Sequence, residues 1–270
     1  MYPFPCPDFD LAAYWQVYLI HHTVADYEKD MQQLSDKLTS WIREQVIGAK
    51  RRGAVFGLSG GLDSAVVAVL CKRAFPDDTL AVIMPCYSSG ADIEHAHAVA
   101  DKFGIPTKTV NLEQALDVLL RALAENTYKS SNNRLAKANL KPRLRMLTLY
   151  YLANQLDYLV VGTGNRSELS VGYFTKYGDG GVDIMPLGNL VKHEVRELAR
   201  YLEVPEAIIN KPPSGGLWEG QTDEGEMGIT YEELDRYLTT GQTTTGLKKK
   251  IDSMIRGSKH KRAMPKMPRF

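Results

Sequence analysis

Residues 54–64 have the sequence Ala54-Val55-Phe56-Gly57-Leu58-Ser59-Gly60-Gly61-Leu62-Asp63-Ser64. The first three residues are typical of a buried strand, and a helical pattern occupies residues 65–70 after the glycines. A strand, a glycine-rich turn and a helix N-terminus place several backbone N–H groups around one concavity, which suits an anion. Asp63 adds a carboxylate suited to a Mg²⁺ carried by a nucleotide. The stretch therefore predicts a nucleotide phosphate site, with a plain tight turn capped by Asp63 as the alternative interpretation.

This glycine-rich turn differs from the Walker P-loop, G-x-x-x-x-G-K-[ST]. Leu62 stands where the second glycine would be, and no lysine follows. The pattern S-G-G-x-D-S instead resembles the PP-loop of ATP pyrophosphatases, which cleave ATP between the α and β phosphates. The resemblance implies that the ATP-binding residues of the turn are Gly57, Leu58, Ser59, Gly60, Gly61, Leu62, Asp63 and Ser64.

Composition is that of an ordinary soluble globular protein. The 270 residues include 33 Lys and Arg against 32 Asp and Glu, so no global charge favours a nucleic-acid or membrane partner. Three cysteines without a C-x-x-C pair favour a reducing compartment. Because neither a signal peptide nor a long apolar stretch is present, we expect a cytoplasmic enzyme.

Strand and helix patterns alternate along the chain. Strands are predicted at residues 54–56, 80–84, 107–110 and 157–162; helices are predicted at 26–52, 91–103, 112–124, 145–154 and 192–202, with short ones at 231–238 and 247–255. This order predicts an α/β fold with an open, mostly parallel, doubly wound sheet, helices on both faces and a helical C-terminal part. All strands then end at one edge, where such sheets bind ligands.

The domain prediction is an N-terminal arm at 1–25 followed by a single domain at 26–270. Residues 204–228 are rich in Pro, Gly and polar residues, so we expect a mobile loop that acts as a lid. A basic tail ends the domain.

A second block is more specific than the glycine-rich turn. Residues 165–183 have the sequence Asn165-Arg166-Ser167-Glu168-Leu169-Ser170-Val171-Gly172-Tyr173-Phe174-Thr175-Lys176-Tyr177-Gly178-Asp179-Gly180-Gly181-Val182-Asp183. Over about residues 26–265 the chain resembles ammonia-dependent NAD synthetase, a family with the adenine nucleotide alpha hydrolase-like fold. The resemblance implies the last step of NAD biosynthesis: ATP adenylates the carboxylate of deamido-NAD, pyrophosphate leaves, and ammonia attacks the NAD-adenylate to give NAD and AMP. It also implies a homodimer.

The resemblance assigns roles to residues outside the turn. It implies Mg²⁺ ligands at Asp63 and Glu168, catalytic roles for Asp63 and Lys192, and ATP contacts at Thr163, Lys192 and Ser214. Deamido-NAD contacts are implied at Arg143, Lys176, Asp183, His260 and Lys261.

Each assignment has a plainer alternative. Glu168 also fits a first-turn carboxylate that complements the helix dipole, and Ser214 fits an ordinary loop serine. Lys192 stands badly against the dipole at a helix start, which argues against a solvated surface lysine. The tail around His260 also fits a frayed, charged terminus.

Two other classes compete with this interpretation. GMP synthetase and tRNA thiolation or lysidine enzymes share S-G-G-x-D-S, but they need a glutaminase domain or an RNA-binding extension. A non-catalytic nucleotide sensor has no need for Asp63, Glu168 and Lys192 together. None of Cys6, Cys71 and Cys86 lies in a context that suits a glutaminase nucleophile, so we expect the chain to use free ammonia.

Overall fold

The structure is a computed structural model that describes residues 24–124, 133–218 and 220–268. Its strands are β1 (Gly53–Gly57), β2 (Thr79–Ile83), β3 (Thr107–Thr109) and β4 (Tyr158–Val160). Its helices are α1 (Val24–Gly48), α2 (Leu62–Ala74), α3 (Gly90–Phe103), α4 (Glu113–Ala124), α5 (Asn133–Ala138), α6 (Leu140–Leu156), α7 (Arg166–Val171), α8 (Lys192–Tyr201), α9 (Glu206–Ile209), α10 (Asp223–Met227), α11 (Tyr231–Thr240) and α12 (Thr245–Gly257), followed by a 3-10 turn at Lys259–Arg262.

The four strands form one parallel sheet in the order β3-β2-β1-β4. Strand β1 is central, so the loop that leaves it lies between the ends of β2 and β4. Side chains alternate across the sheet: Phe56 packs in the core on one face and Val55 in the core on the other. This alternation explains why β1 is apolar throughout, since both faces are covered by helices.

Each face of the sheet has its own core. Residues of α1, α2, α3 and α8 cover the first face, and residues of α4 and α6 cover the second. A third apolar cluster joins Val171 of α7 to Leu234 of α11 and Ile251 of α12. The C-terminal helices therefore form a small core of their own beside the sheet edge, and Val171 anchors them to the strand β4 connection.

The predicted fold class is confirmed, with β3 and β4 shorter than the sequence pattern indicated. The prediction of an unstructured loop at 204–228 is wrong at both ends, where α9 and α10 form. Ile208 and Ile209 of α9 are 1% and 2% exposed, because they pack against the main core. Thr222 caps α10 by accepting a hydrogen bond from the Gly225 amide.

Two predictions fall on other parts of the chain. The N-terminal arm lies outside the described residues, apart from the start of α1. No helix among the described residues combines the length and apolar character needed to cross a membrane.

Candidate active site at the carboxyl edge of the sheet

The glycine-rich turn is held open by its own serines. Ser64 Oγ donates to the Gly61 carbonyl at 2.9 Å and accepts from the Ser59 amide at 3.2 Å. Helix α2 begins at Leu62 with Gly61 as its N-cap and no side-chain cap. Asp63 therefore does not cap the turn, which removes the alternative interpretation of this stretch. The helix N-terminus is left facing the cavity, where it favours an anion.

Gly60 is required by both conformation and space. Its φ is +77°, and a Cβ added there would lie 2.1 Å from the Asp92 carbonyl oxygen of α3. A side chain at this position would force the turn and α3 apart. The close approach of the two backbones explains the first glycine of S-G-G-x-D-S.

A buried lysine joins the ends of β1 and β4. Lys192, at the start of α8, is 3% exposed and forms ion pairs with Asp63 and Glu168. The Lys192 Nζ to Glu168 Oε1 distance is 3.2 Å. Asn165 also donates to Asp63, from Nδ2 to Oδ1 at 2.9 Å. The solvated-surface alternative for Lys192 is thus wrong.

Glu168 serves two purposes, one with each carboxylate oxygen. Its Oε2 accepts from the Asn165 amide at 3.4 Å and completes a capping box at the start of α7. Its Oε1 accepts from Lys192 and lies 3.2 Å from the Tyr231 hydroxyl. The helix-start alternative for Glu168 is therefore confirmed, and its role as a metal ligand remains a prediction.

Burial and charge compete at this cluster. Burial raises the pKa of Glu168 to about 7, against the opposing effect of Lys192. Burial by itself would lower the pKa of Lys192, but Asp63 and Glu168 raise it above its usual range. Lys192 therefore stays protonated, and its charge is shared between two carboxylates.

A cavity of about 1130 Å³ opens above this cluster. The predicted site residues that line it are Gly57, Leu58, Ser59, Gly61, Leu62, Asp63, Ser64, Thr163, Glu168, Lys192, Ser214 and Lys261. The structure thus brings together most of the predicted ATP and metal residues, from loops that follow β1 and β4 and from α8.

Residues 211–218, which we call the covering segment, lie over the cavity. Lys211 forms an ion pair with Asp92 of α3. Lys141 donates from Nζ to the Leu217 carbonyl at 2.8 Å. The Arg134 guanidinium lies 4.4 Å from the Trp218 ring centroid. The covering segment is thus held to α3, α5 and α6.

Four predicted substrate residues and Gly60 are not among the residues that line this cavity. Arg143 is exposed and donates to the Lys176 carbonyl at 3.4 Å. Asp183 accepts from the Val160 amide at 2.9 Å and from the Tyr150 hydroxyl at 2.9 Å. In this structure the Asp183 carboxylate therefore binds a backbone N–H group of β4. Its contact with a substrate remains a prediction.

The C-terminal tail is ordered by contacts with the block at 165–183. Lys261 donates from Nζ to the Gly172 and Phe174 carbonyls at 2.8 Å each. Lys176 donates to the His260 carbonyl at 2.7 Å. The alternative of a frayed terminus is wrong for these residues, although their contact with deamido-NAD is untested.

Sequence reasoning missed several charged residues of the cavity, among them Arg145 and Asp223. Arg145 of α6 donates to the Met84 carbonyl at 3.3 Å and to Ser88 Oγ at 3.4 Å, and faces the cavity that Arg143 does not reach. Asp223 of α10 is 4% exposed and lines the same cavity. Gly225 stands where a capping box after Thr222 would have Glu or Gln, so the sequence carried no clear signal for a buried carboxylate here.

Similarity to known proteins accounts for this arrangement. A family model described as NAD synthase matches residues 34–265. The chain belongs to the NAD synthase family. The resemblance inferred from residues 165–183 is therefore confirmed.

Individual members of the NAD synthase family match nearly the whole chain. An NH(3)-dependent NAD(+) synthetase from Carboxydothermus hydrogenoformans is 52% identical over 237 residues, which cover 88% of this chain and 97% of that protein. The solved NMN synthetase from Francisella tularensis matches with a TM-score of 0.84 and 38% identity, over 89% of this chain and 99% of its own. The NH3-dependent NAD synthetase from Campylobacter jejuni matches with a TM-score of 0.72 and 32% identity, over 88% and 99%.

Proposed function

We propose that this chain is an ammonia-dependent NAD synthetase. It amidates deamido-NAD to NAD through an NAD-adenylate, and converts ATP to AMP and pyrophosphate. The observation that carries the proposal is the Lys192 bridge between Asp63 and Glu168, placed beside the open turn of residues 57–64. The proposal includes carbon–nitrogen ligase activity, ATP as co-substrate and a cytoplasmic location. The buried free thiols of Cys71 and Cys86 suit a reducing compartment such as the cytoplasm.

The chemistry requires charge to be gathered at one phosphorus atom. A carboxylate is a poor acyl electrophile, so AMP must be attached before ammonia attacks. Backbone N–H groups of residues 57–64 bind phosphate oxygens, and the Lys192 ammonium stabilises negative charge that develops at the α-phosphate. Thr163, at the end of β4, faces the same space and contacts ATP.

The two carboxylates fit a magnesium ion that arrives with the nucleotide. Mg²⁺ is usually bound by one or two carboxylates together with substrate phosphates, and Asp63 and Glu168 supply that donor set. When bound, the ion neutralises phosphate charge. In this structure the Lys192 ammonium pairs with both carboxylates. Once Asp63 and Glu168 bind Mg²⁺ instead, the Lys192 side chain is free to bind phosphate.

A homodimer is part of the proposal. Four apolar side chains of α4 and α6 are more than half exposed: Val118, Leu123, Leu147 and Tyr151. Helices α4 and α6 pack side by side, so these residues form one surface suited to a second copy of the chain. Sedimentation should give a dimer for the wild type and a monomer for Leu147→Lys, while Lys137→Glu on exposed α5 should leave the dimer intact.

A second candidate function is amidation of the mononucleotide counterpart, nicotinate mononucleotide. The observation that favours it is the TM-score of 0.84 with the Francisella tularensis NMN synthetase, against 0.72 for the Campylobacter jejuni NAD synthetase. The same carboxylate chemistry serves both substrates. The two substrates differ because only deamido-NAD carries an AMP half that the site must also bind.

One assay tests both functions. The purified chain is incubated with ATP, Mg²⁺ and ammonium, with either deamido-NAD or nicotinate mononucleotide, and NAD or NMN is measured together with AMP and pyrophosphate. We expect the larger kcat/KM with deamido-NAD, and only background when glutamine replaces ammonium. A larger value for the mononucleotide would favour the second candidate, and no product from either substrate would overturn both.

A further inference from the structure

Asp223 is a buried carboxylate with one oxygen unused. Its Oδ2 accepts from the Tyr231 hydroxyl at 3.0 Å. Its Oδ1 is buried and has no hydrogen-bond partner among residues 24–124, 133–218 and 220–268. The side chain is 4% exposed and lines the cavity. A buried acceptor without a donor is costly, so the site is built for a donor that the protein does not supply.

The charge around Asp223 calls for a cation. Lys192 is near enough to lower the pKa of Asp223, but its ammonium already pairs with Asp63 and Glu168. Three carboxylates therefore share one lysine. Burial raises the pKa of Asp223, against the opposing effects of Lys192 and Tyr231.

The surroundings suit ammonium better than a metal ion. Two tyrosine hydroxyls lie near the carboxylate: Tyr231 donates to Oδ2, and Tyr173, which donates to Glu226 Oε2 at 2.8 Å, is near enough to lower the pKa of Asp223. Mg²⁺ demands about six oxygen ligands in near-octahedral geometry, whereas one free carboxylate oxygen suits a small N–H donor cation. Among the described residues no group of three metal-ligating side chains surrounds the position.

We propose that Asp223 Oδ1 binds the ammonium ion and accepts one of its protons, so that neutral ammonia supplies the amide nitrogen. The proposal rests on the function proposed above and names the binding residue for its nitrogen substrate. The Tyr231 hydroxyl connects Asp223 to the cluster, since it lies 3.0 Å from Asp223 Oδ2 and 3.2 Å from Glu168 Oε1. Ammonium bound at Asp223 is therefore kept near Asp63, Glu168 and Lys192. It does not compete for the carboxylate oxygens of Asp63 and Glu168.

The test separates adenylation from amidation. Isotope exchange between pyrophosphate and ATP, with deamido-NAD present and ammonium absent, reports adenylation alone. NAD formation against ammonium concentration, at constant pH and with KCl keeping the ionic strength fixed, reports amidation. Asp223→Asn keeps the shape of the side chain and removes its charge. We expect the KM for ammonium to rise about 10- to 100-fold, as for a lost hydrogen bond to a charged group, with the exchange rate within twofold of the wild type.

Two further variants keep the result interpretable. Glu224→Gln removes a charge from the same helix, at a carboxylate that accepts from the Tyr231 amide at 2.8 Å and is not among the cavity residues. It should leave the KM for ammonium unchanged. Asp223→Glu retains the charge, so its KM for ammonium should lie well below that of Asp223→Asn, and it also serves if the Asn variant does not fold.

Three results would overturn the proposal. The first is an unchanged KM for ammonium in Asp223→Asn. The second is an equal loss of exchange and amidation, which would assign Asp223 to the nucleotide or its metal. The third is a wild-type chain that shows no exchange dependent on deamido-NAD or nicotinate mononucleotide, in which case the proposed function fails first and separately.

Discussion

Replacing Lys192 by methionine should destabilise the empty protein markedly. The substitution keeps much of the side chain's length and leaves Asp63 and Glu168 facing each other without a cation. Breaking a buried ion pair by removing one partner costs about 3 to 5 kcal/mol. The carboxylate side chains are 16% and 17% exposed, so we expect the lower end, about 3 kcal/mol. For a chain of this size, that corresponds to a fall in Tm of about 6 to 12 °C.

Urea unfolding followed by circular dichroism measures the effect, without nucleotide and with chelator present. The matched control is Lys102→Met, since Lys102 pairs with Glu203 at side-chain exposures of 41% and 81%. An exposed pair of this kind contributes at most about 1 kcal/mol.

The loss should also depend on pH. A carboxylate whose pKa is raised in the folded state stabilises the fold at low pH, and this contribution is lost as pH rises through the folded-state pKa. Burial already raises the pKa of Glu168 to about 7, and loss of Lys192 would raise it further. Lys192→Met should therefore be more destabilised at pH 8 than at pH 6. A loss no larger than that of Lys102→Met, or one that shrinks as pH rises, would refute the reasoning.

Four further predictions concern the cavity. Asp63→Ala and Glu168→Ala should each lower kcat about 10²- to 10³-fold with the fold intact by circular dichroism, and wild-type turnover in both would contradict the metal assignment. Gly60→Ala should abolish ATP binding measured by calorimetry, because a Cβ would lie 2.1 Å from a backbone oxygen of α3; normal affinity would show that the turn can relax. ATP and deamido-NAD together should protect the chain from proteolytic cuts near Gly215, and unchanged cleavage would argue against closure of the covering segment. Lys261→Met should raise the KM for deamido-NAD and leave the KM for ATP nearly unchanged in steady-state kinetics, whereas an equal rise in both would assign Lys261 to packing alone.

The nucleotide side of the cavity was largely predictable from sequence. The glycine-rich turn is local, so its strand, its glycines and the helix after it are all recorded in one short stretch. Lys192 was predicted from the resemblance to the family, and its unfavourable place at a helix start argued against a solvated surface lysine. The structure supplies the compensation as Asp63 and Glu168.

The remaining parts depend on packing between distant segments. Asp223 lies within a stretch rich in Pro, Gly and polar residues, and in the folded chain it packs against Tyr231. Residues 208 and 209 looked like part of a loop because a four-residue helix is too short to show a period. Arg143 and Arg145 are two positions apart on one helix, and sequence alone does not decide which of them faces the cavity.

Asp92 contacts both the glycine-rich turn, at Gly60, and the covering segment, at Lys211. The Asp92 backbone rests against the turn that receives phosphate, while its carboxylate holds Lys211 at the root of the covering segment. We therefore expect a ligand that shifts the turn to shift the residue that holds the covering segment. Substituting the Asp92 side chain would remove the ion pair with Lys211 and leave the backbone contact with the turn in place.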